Sequence, residues 1–345
     1  MSERRCPRCG SRYGATARFC TRDGNLLVDI QSSHPRPAGE PPAPARSLER
    51  ASTLSGQLLD GRYQVAKKLG EGGMSFVYLA QEVATGQEVA IKVLSPKLAT
   101  DRSSVERLRR EAGLAMRLDH PNVCRIIRLG VSDDGLLYLV MPFLAGELLS
   151  EREARDGPMA LEPGIAVLVQ VCAGLHHAHE LQIVHRDLKP ENVMLVSEAG
   201  RHERAVVMDF GLAKERRADP SIAKLTATGI IVGTPEFMSS EQIRGKSLDA
   251  RSDVYALGVL AFEMFSGKLP FEGRSAQELM IARLRGRPLP LRQFRPDLPA
   301  TLETALARAM ATDPDERFAT ALEFARALAP PSAGAVFRGT RQKLG

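Results

Sequence analysis

The sequence predicts an α+β protein of two lobes: a five-stranded sheet with one helix, then a mainly helical lobe, with a small cysteine-bearing unit in front. Three observations carry this. Residues 63–69, 76–81, 87–94, 124–132 and 136–141 are short, strand-patterned runs, and only 105–118 among them places apolar residues at helical spacing, through Leu108, Ala112, Ala115 and Met116. Beyond Pro142-Phe143-Leu144, read as a hinge, the period turns helical: Ile165, Leu168, Val169, Cys172 and Leu175 share a face, and 251–266 is apolar nearly all round with Gly267 suited to cap it. Finally, Cys6-Pro7-Arg8-Cys9-Gly10 recurs as Cys20-Thr21-Arg22-Asp23-Gly24.

That repeat defines the first element, residues 1–29. Each half reads ligand, two residues, ligand, glycine, which is the knuckle of a zinc ribbon. Cys6, Cys9, Cys20 and Asp23 are the expected zinc ligands, with one carboxylate among three thiolates. Two other readings stay open: Asp23-Gly24 as a turn in a degenerate site, and Cys6/Cys9 as a redox pair. The unit is expected to need its metal to fold and to serve docking or regulation. Residues 30–61, with Pro35, Pro37, Pro41, Pro42 and Pro44, read as an extended linker. The two-lobed domain spans 62–328, divided near 141/142, and 329–345 is a short basic tail.

Composition narrows the class. Hydrophobic content of 43% allows a sizeable core, and a net charge of +6 without any Lys/Arg block gives no expectation of nucleic-acid binding. The N-terminus leads into cysteines and not an apolar run, and the apolar stretch 254–265 is interrupted by Glu263 and too short for a bilayer. A cytoplasmic protein with no membrane span is the expectation, and clustered cysteines favour metal over disulfides.

The chemistry is concentrated in His185-Arg186-Asp187-Leu188-Lys189-Pro190-Glu191-Asn192. Pro190 keeps this stretch from forming a helix, and Ile183-Val184 before it and 193–196 after it read as strands. A carboxylate, an ammonium and a carboxamide on one loop suit phosphoryl transfer: a proton acceptor, a cation for transferred charge, and a metal ligand. Asp209-Phe210-Gly211 follows, with a second carboxylate suited to metal. Upstream lie the glycine-rich Gly70-Glu71-Gly72-Gly73-Met74-Ser75-Phe76-Val77 and Val89-Ala90-Ile91-Lys92.

On these residues, from about Arg62 to about Leu328, the chain resembles the protein kinases. Gly72-Gly73-Met74 and Pro190-Glu191-Asn192 look most like the bacterial, eukaryotic-like Ser/Thr branch. The resemblance implies a bilobal kinase fold that binds ATP with Mg²⁺ or Mn²⁺. Gly70, Glu71, Gly72, Gly73, Met74, Ser75, Phe76 and Val77 would cover the nucleotide, with Ala90, Met141 (the gatekeeper position) and Phe143 around it. Lys92 would meet the α- and β-phosphates and be held by Glu111. Asp187 would be the base, Lys189 the phosphate-facing lysine, and Asn192 and Asp209 the metal ligands. Lys189 also implies Ser or Thr acceptors in protein substrates. Glu241 and Arg317 match the family's buried pair, and Asp253 its buried helix aspartate. Thr226 and Thr228 match activation-segment phosphorylation sites, which implies autophosphorylation in intracellular signalling, while Thr234 is more simply a contact to the catalytic loop.

Several residues depart from the pattern: Ser75 for the third loop glycine, Ser240 for the proline of Ala-Pro-Glu, Phe237 for tyrosine, and Pro142 for an acidic hinge residue. His185 is expected to pack the catalytic loop. His176, His177 and His179 lack a matching acidic ligand and are not expected to bind metal. The alternative from another class is a pseudokinase scaffold or a binding protein acting through its zinc ribbon and a docking partner.

Overall fold

A computed structural model describes residues 4–5, 11–13, 28–29, 49–72, 75–95, 102–133, 135–197, 203–210 and 235–328. The chain divides into two compact units, Met1–Arg50 and Ala51–Gly345. In the first, β1 (Arg4–Arg5) pairs antiparallel with β2 (Arg12–Tyr13) and β3 (Val28–Asp29). Cys6, Cys9, Cys20 and Asp23 lie outside the described residues, so the zinc site does too. Among the described residues no group of three or more His, Cys, Asp or Glu is placed to hold a metal ion.

The second unit opens on a six-stranded antiparallel sheet, one strand more than expected. Its order is β4-β5-β6-β7-β9-β8, with β4 Leu58–Leu59, β5 Tyr63–Gly72, β6 Ser75–Glu82, β7 Glu88–Leu94, β8 Arg128–Val131 and β9 Leu137–Pro142. The added strand arises from a two-residue hairpin. Asp60 and Gly61 both have positive φ, 54° and 61°, and the Arg62 N–H returns to the Leu59 carbonyl at 3.0 Å. That is the turn whose twist suits adjoining strands, and Asp-Gly is its preferred sequence. Leu58 and Leu59 then face Gln64 and Tyr63. Just upstream, Ala51 and Leu54 are buried, and the Tyr78 hydroxyl donates to the Ala51 carbonyl at 2.8 Å.

The single helix of this lobe, α1, spans Arg102–Ala115. Ala112 and Ala115 are buried as the helical spacing requires, but Met116 is 45% exposed because the helix ends before it and its side chain leaves the inner face. Strand β8 starts at Arg128, so 124–127 are not strand. There the chain instead follows the second lobe, where the Cys124 N–H donates to Val207 O at 2.8 Å.

The second lobe is helical around α5. It comprises α2 (Leu149–Asp156), α3 (Leu161–Glu180), α4 (Ser240–Ile243), α5 (Ala250–Ser266), α6 (Ala276–Arg285), α7 (Ala300–Ala309) and α8 (Ala321–Leu328). A small sheet has the order β10-β11-β12, with β10 (Glu147–Leu148) just before α2, and β11 (Val193–Val196) and β12 (Arg204–Val207) between α3 and α4. Helix α5 is buried on almost every side and ends at Gly267 in the left-handed region, φ 66°. Ile183 and Val184, expected as strand, are not. Gln182 turns the chain out of α3 with φ 61°, and the Ile183 N–H is spent on the Ala178 carbonyl at 2.9 Å. Among the described residues no helix is long and apolar enough to cross a membrane.

Candidate active site

The site is assembled by strand alternation above and by a buried aspartate below. Lys92 stands on β7 opposite Val77 of β6 and Leu139 of β9, while Ala90, two residues earlier, stands opposite Leu79 and Met141. Paired residues share a face, so Val77, Ala90, Lys92 and Met141 look the same way. Phe76, opposite Val93, falls on the other face; it is buried beneath the Lys68 ammonium, 5.0 Å from its ring. The glycine-rich stretch continues the β5–β6 hairpin through Gly70↔Val77, Glu71↔Phe76 and Gly72↔Ser75, with Gly73 and Met74 outside the described residues. Phe143 is half-buried just beyond β9.

Among the described residues, Lys92 takes Asp209 and not Glu111 as its ion-pair partner, Nζ to Oδ1 at 2.6 Å. Asp209 follows β12 with φ 59°, a left-handed turn that carries its carboxylate to β7. Desolvation within the site pushes the Asp209 carboxyl up even though 38% of its side chain is exposed, and the Lys92 charge and hydrogen bond outweigh it and hold it below the ordinary carboxylate range. Glu111 stands half-buried on α1.

The loop carrying Asp187 is fixed from beneath. Asp253, 1% exposed on α5, accepts from the His185 N–H at 2.8 Å and the Arg186 N–H at 2.9 Å. Its Oδ2 also accepts from His179 Nε2 at 2.7 Å. These bonds secure Arg186 at φ 66°, a conformation costing on the order of 1–3 kcal/mol when unsupported. His185 is fully buried and reads out its own tautomer. The Met208 carbonyl only accepts, so Nε2 carries the proton toward it at 2.7 Å, and Nδ1 accepts from the Asp187 N–H at 3.2 Å. The ring packs edge-on against Phe210, centroids 4.7 Å apart. One imidazole therefore ties the segment of Asp187 to the segment of Asp209, as its expected packing role requires. The other histidines diverge: His177 stacks on His120 at 5.4 Å, and His176 faces Glu180 at 3.7 Å.

Pro190–Asn192 forms a 3₁₀ turn leading into β11. Buried Asn192 donates Nδ2–H to the Asp187 carbonyl at 2.7 Å. Its amide nitrogen is thereby committed, and its side-chain oxygen is the atom left for a cation. With Asp209 held ionised, this donor set fits a hard divalent ion such as Mg²⁺.

Beyond the loop, Glu241 and Arg317 meet in a bidentate pair, both bonds 2.8 Å. Burial pushes the Glu241 carboxyl up, but Arg317 and the Ser252 hydroxyl, 2.6 Å away, bring it down to about 2. Ser240, in the place of a proline, donates to the Thr312 carbonyl at 2.6 Å. The side chain of Gln242 reaches the Arg186 carbonyl at 2.9 Å, linking this region to the catalytic loop. Gly211, Thr226, Thr228 and Thr234 lie outside the described residues.

A feature the sequence did not announce flanks the loop. A cavity of about 300 Å³ is lined by Glu153, Glu191, Glu263, Pro190 and Phe237. Burial, then repulsion from Glu263 and Glu191, raises Glu153 to about 8; burial, then Glu191 and Glu236, raises Glu263 to about 7. One carboxylate oxygen of each is buried without a hydrogen-bond partner.

Comparison with known proteins agrees with this geometry. Residues 63–326 match the protein kinase domain family. The chain is 37% identical to the serine/threonine-protein kinase PrkC of Bacillus subtilis over 268 residues, 78% of this chain and 40% of that protein. It is 39% identical to Pkn1 of Myxococcus xanthus over 328 residues, 94% of this chain and 45% of that protein. It spans between about a third and a half of the length of the curated relatives it matches. Among solved structures, the kinase domain of Mycobacterium tuberculosis PknI is similar at 30% identity and a TM-score of 0.63, covering 79% of this chain and 97% of that one.

Proposed function

The chain belongs to the protein kinase family, and we propose that it transfers the γ-phosphoryl group of Mg-ATP to Ser or Thr hydroxyls of proteins. The observation that carries this reading is the bridge made by His185, which joins the Asp187 segment to the Asp209 segment over the buried Asp253. A loop held this firmly can keep its carboxylate and ammonium aligned without reorganising during reaction.

In this reading Asp187 accepts the proton of the acceptor hydroxyl, and Lys189 offers positive charge to the transferred group. Lys92 orients the nucleotide phosphates from β7. Asn192 and Asp209 would hold Mg²⁺, which when bound would supply charge neutralisation for the nucleotide phosphates. Glu111 would hold Lys92 from α1, the lysine that Asp209 pairs in this structure. Val77, Ala90, Met141 and Phe143 would line the nucleotide. Self-phosphorylation at Thr226 or Thr228 and zinc binding by Cys6, Cys9, Cys20 and Asp23 belong to the same proposal, supported by the segment's threonines and the repeated knuckle.

The test is transfer of labelled phosphate from ATP to a protein acceptor, with Asp187→Asn as the control. Transfer should fall by about a thousandfold or more in the variant at an unchanged melting temperature. Wild-type rates in Asp187→Asn would sink the assigned chemistry. Mass spectrometry of the two proteins should show phosphate on Thr226 or Thr228 in the wild type alone.

A further inference from the structure

Arg283 is the bulkiest of the fully buried side chains, with 0% of its surface exposed. It stands in the last turn of α6, which otherwise buries only Leu279. Its guanidinium lies over Phe271 at 5.3 Å and Tyr255 at 5.8 Å, rings that are themselves stacked. Nη1 donates to the Met238 carbonyl at 2.6 Å, whereas Nε and Nη2 are buried with no hydrogen-bond partner. A charge so placed is less favourable than an apolar side chain of equal volume. The packing of α6 therefore does not explain an arginine here; its bond to Met238 does.

Arg317 supplies the contrast. It lies 4.9 Å from the same Tyr255 ring and is paired with Glu241. Two arginines thus fasten the two ends of 238–241 to one tyrosine, Arg317 through a carboxylate and Arg283 through a backbone carbonyl. The residue before Met238, Phe237, shares the cavity wall with Pro190 and Glu191 of the catalytic loop. Glu236, in the same Pro235–Phe237 turn, acts on Arg283 through its charge and has a buried oxygen without a partner.

Resting on the kinase reading above, we propose that Arg283 is a positioning residue for the protein acceptor. By holding the Met238 carbonyl it sets the Pro235–Phe237 turn against the catalytic loop, and so the place of the acceptor hydroxyl relative to Asp187. Its described contacts, with Met238, Phe271 and Tyr255, all lie outside β5–β7, so nucleotide handling should be separate from it.

The experiment uses the full chain with myelin basic protein as acceptor, measuring KM for acceptor and for ATP, acceptor-free ATP hydrolysis, and melting temperature. Arg283→Met should raise the acceptor KM by about tenfold, with ATP KM and ATP hydrolysis within about twofold of wild type. Arg283→Lys, which keeps one donor for the Met238 carbonyl, should fall between the two. An unchanged acceptor KM in folded Arg283→Met overturns the proposal, as does a parallel decline of ATP hydrolysis, or a lysine variant no better than methionine. If Arg283→Met does not fold, Arg283→Lys decides: a raised acceptor KM at constant ATP KM supports the role, and an unchanged one overturns it. Wild-type protein that transfers no phosphate overturns the kinase reading, and this proposal with it.

Discussion

Glu241 and Asp253 on one side, Glu153 and Glu263 on the other, are carboxylates withdrawn from water in the same helical lobe. Burial pushes all four upward, yet the first two titrate below the ordinary range and the second two at about 8 and about 7. The difference is partners. Glu241 has Arg317 and Ser252, and Asp253 has His179 and two backbone N–H groups. Glu153 and Glu263 face each other and Glu191 across a cavity. Desolvation alone therefore does not decide the charge of a buried acid; the hydrogen bonds within reach do. The first pair builds scaffold, and the second lines space beside the catalytic loop.

Removing a partner from the scaffold pair should give the largest effect. Arg317→Met leaves Glu241 buried and unpaired and also abandons the carbonyls of Arg251 and Ala311. A loss of about 3–5 kcal/mol is expected, read as the midpoint shift in urea unfolding. A loss under about 1 kcal/mol would mean the pair is not what holds the α4 region.

Asp253→Asn should come next. The amide retains one acceptor for the strained loop but loses the charge that His179 faces, and about 2–3 kcal/mol should go with it. Phosphoryl transfer should fall further than stability explains, because His185 and Arg186 lose alignment. Equal rates per folded molecule in wild type and variant would separate Asp253 from catalysis.

The two sets should also separate in pH. Glu241 has a folded value of about 2 against an ordinary 4.5, so its contribution is complete above about pH 5 and disappears as pH falls from 4.5 through 2. Glu153 runs the other way. Below pH 4.5 it is protonated in both states; between 4.5 and about 8 the unfolded chain ionises first, so stability declines as pH rises and levels above 8. Glu153→Gln should therefore stabilise the protein at pH 8 and leave it unchanged at pH 4. Equal shifts at both pH values would remove titration as the cause.

Legibility from sequence followed the range of the interactions. His185–Asn192, Asp209 and Lys92 could be read because each motif is short and its chemistry local. The face shared by Val77, Ala90, Lys92 and Met141 follows from alternation once the strands are aligned. The Asp60-Gly61 hairpin was also written locally, but it sat among residues read as linker, with only two residues of strand before it. What no local pattern could show was pairing across the fold. Lys92 meets Asp209 through a left-handed turn, and Glu153 meets Glu263 from α2 and α5. Arg283 sits in a helical stretch where an arginine reads as solvated, but in the fold it meets Tyr255 of α5, Phe271 and the Met238 carbonyl.

Strand β4 has a further consequence, for how copies of the chain avoid one another. It covers the start of the outer edge of β5, residues 63–65 of a ten-residue strand, whose backbone groups there would otherwise stand open at the margin of the sheet. Two residues of pairing, extended by Gly56 and Gln57 on Val65, cover the first part of that edge while being too short to template a second molecule. A chain cut back to Arg62 would lose this cap together with buried Ala51 and Leu54, and β5 would become a docking line for its own kind. Protection of this part of the sheet margin is thus supplied by a few residues placed outside the site described above.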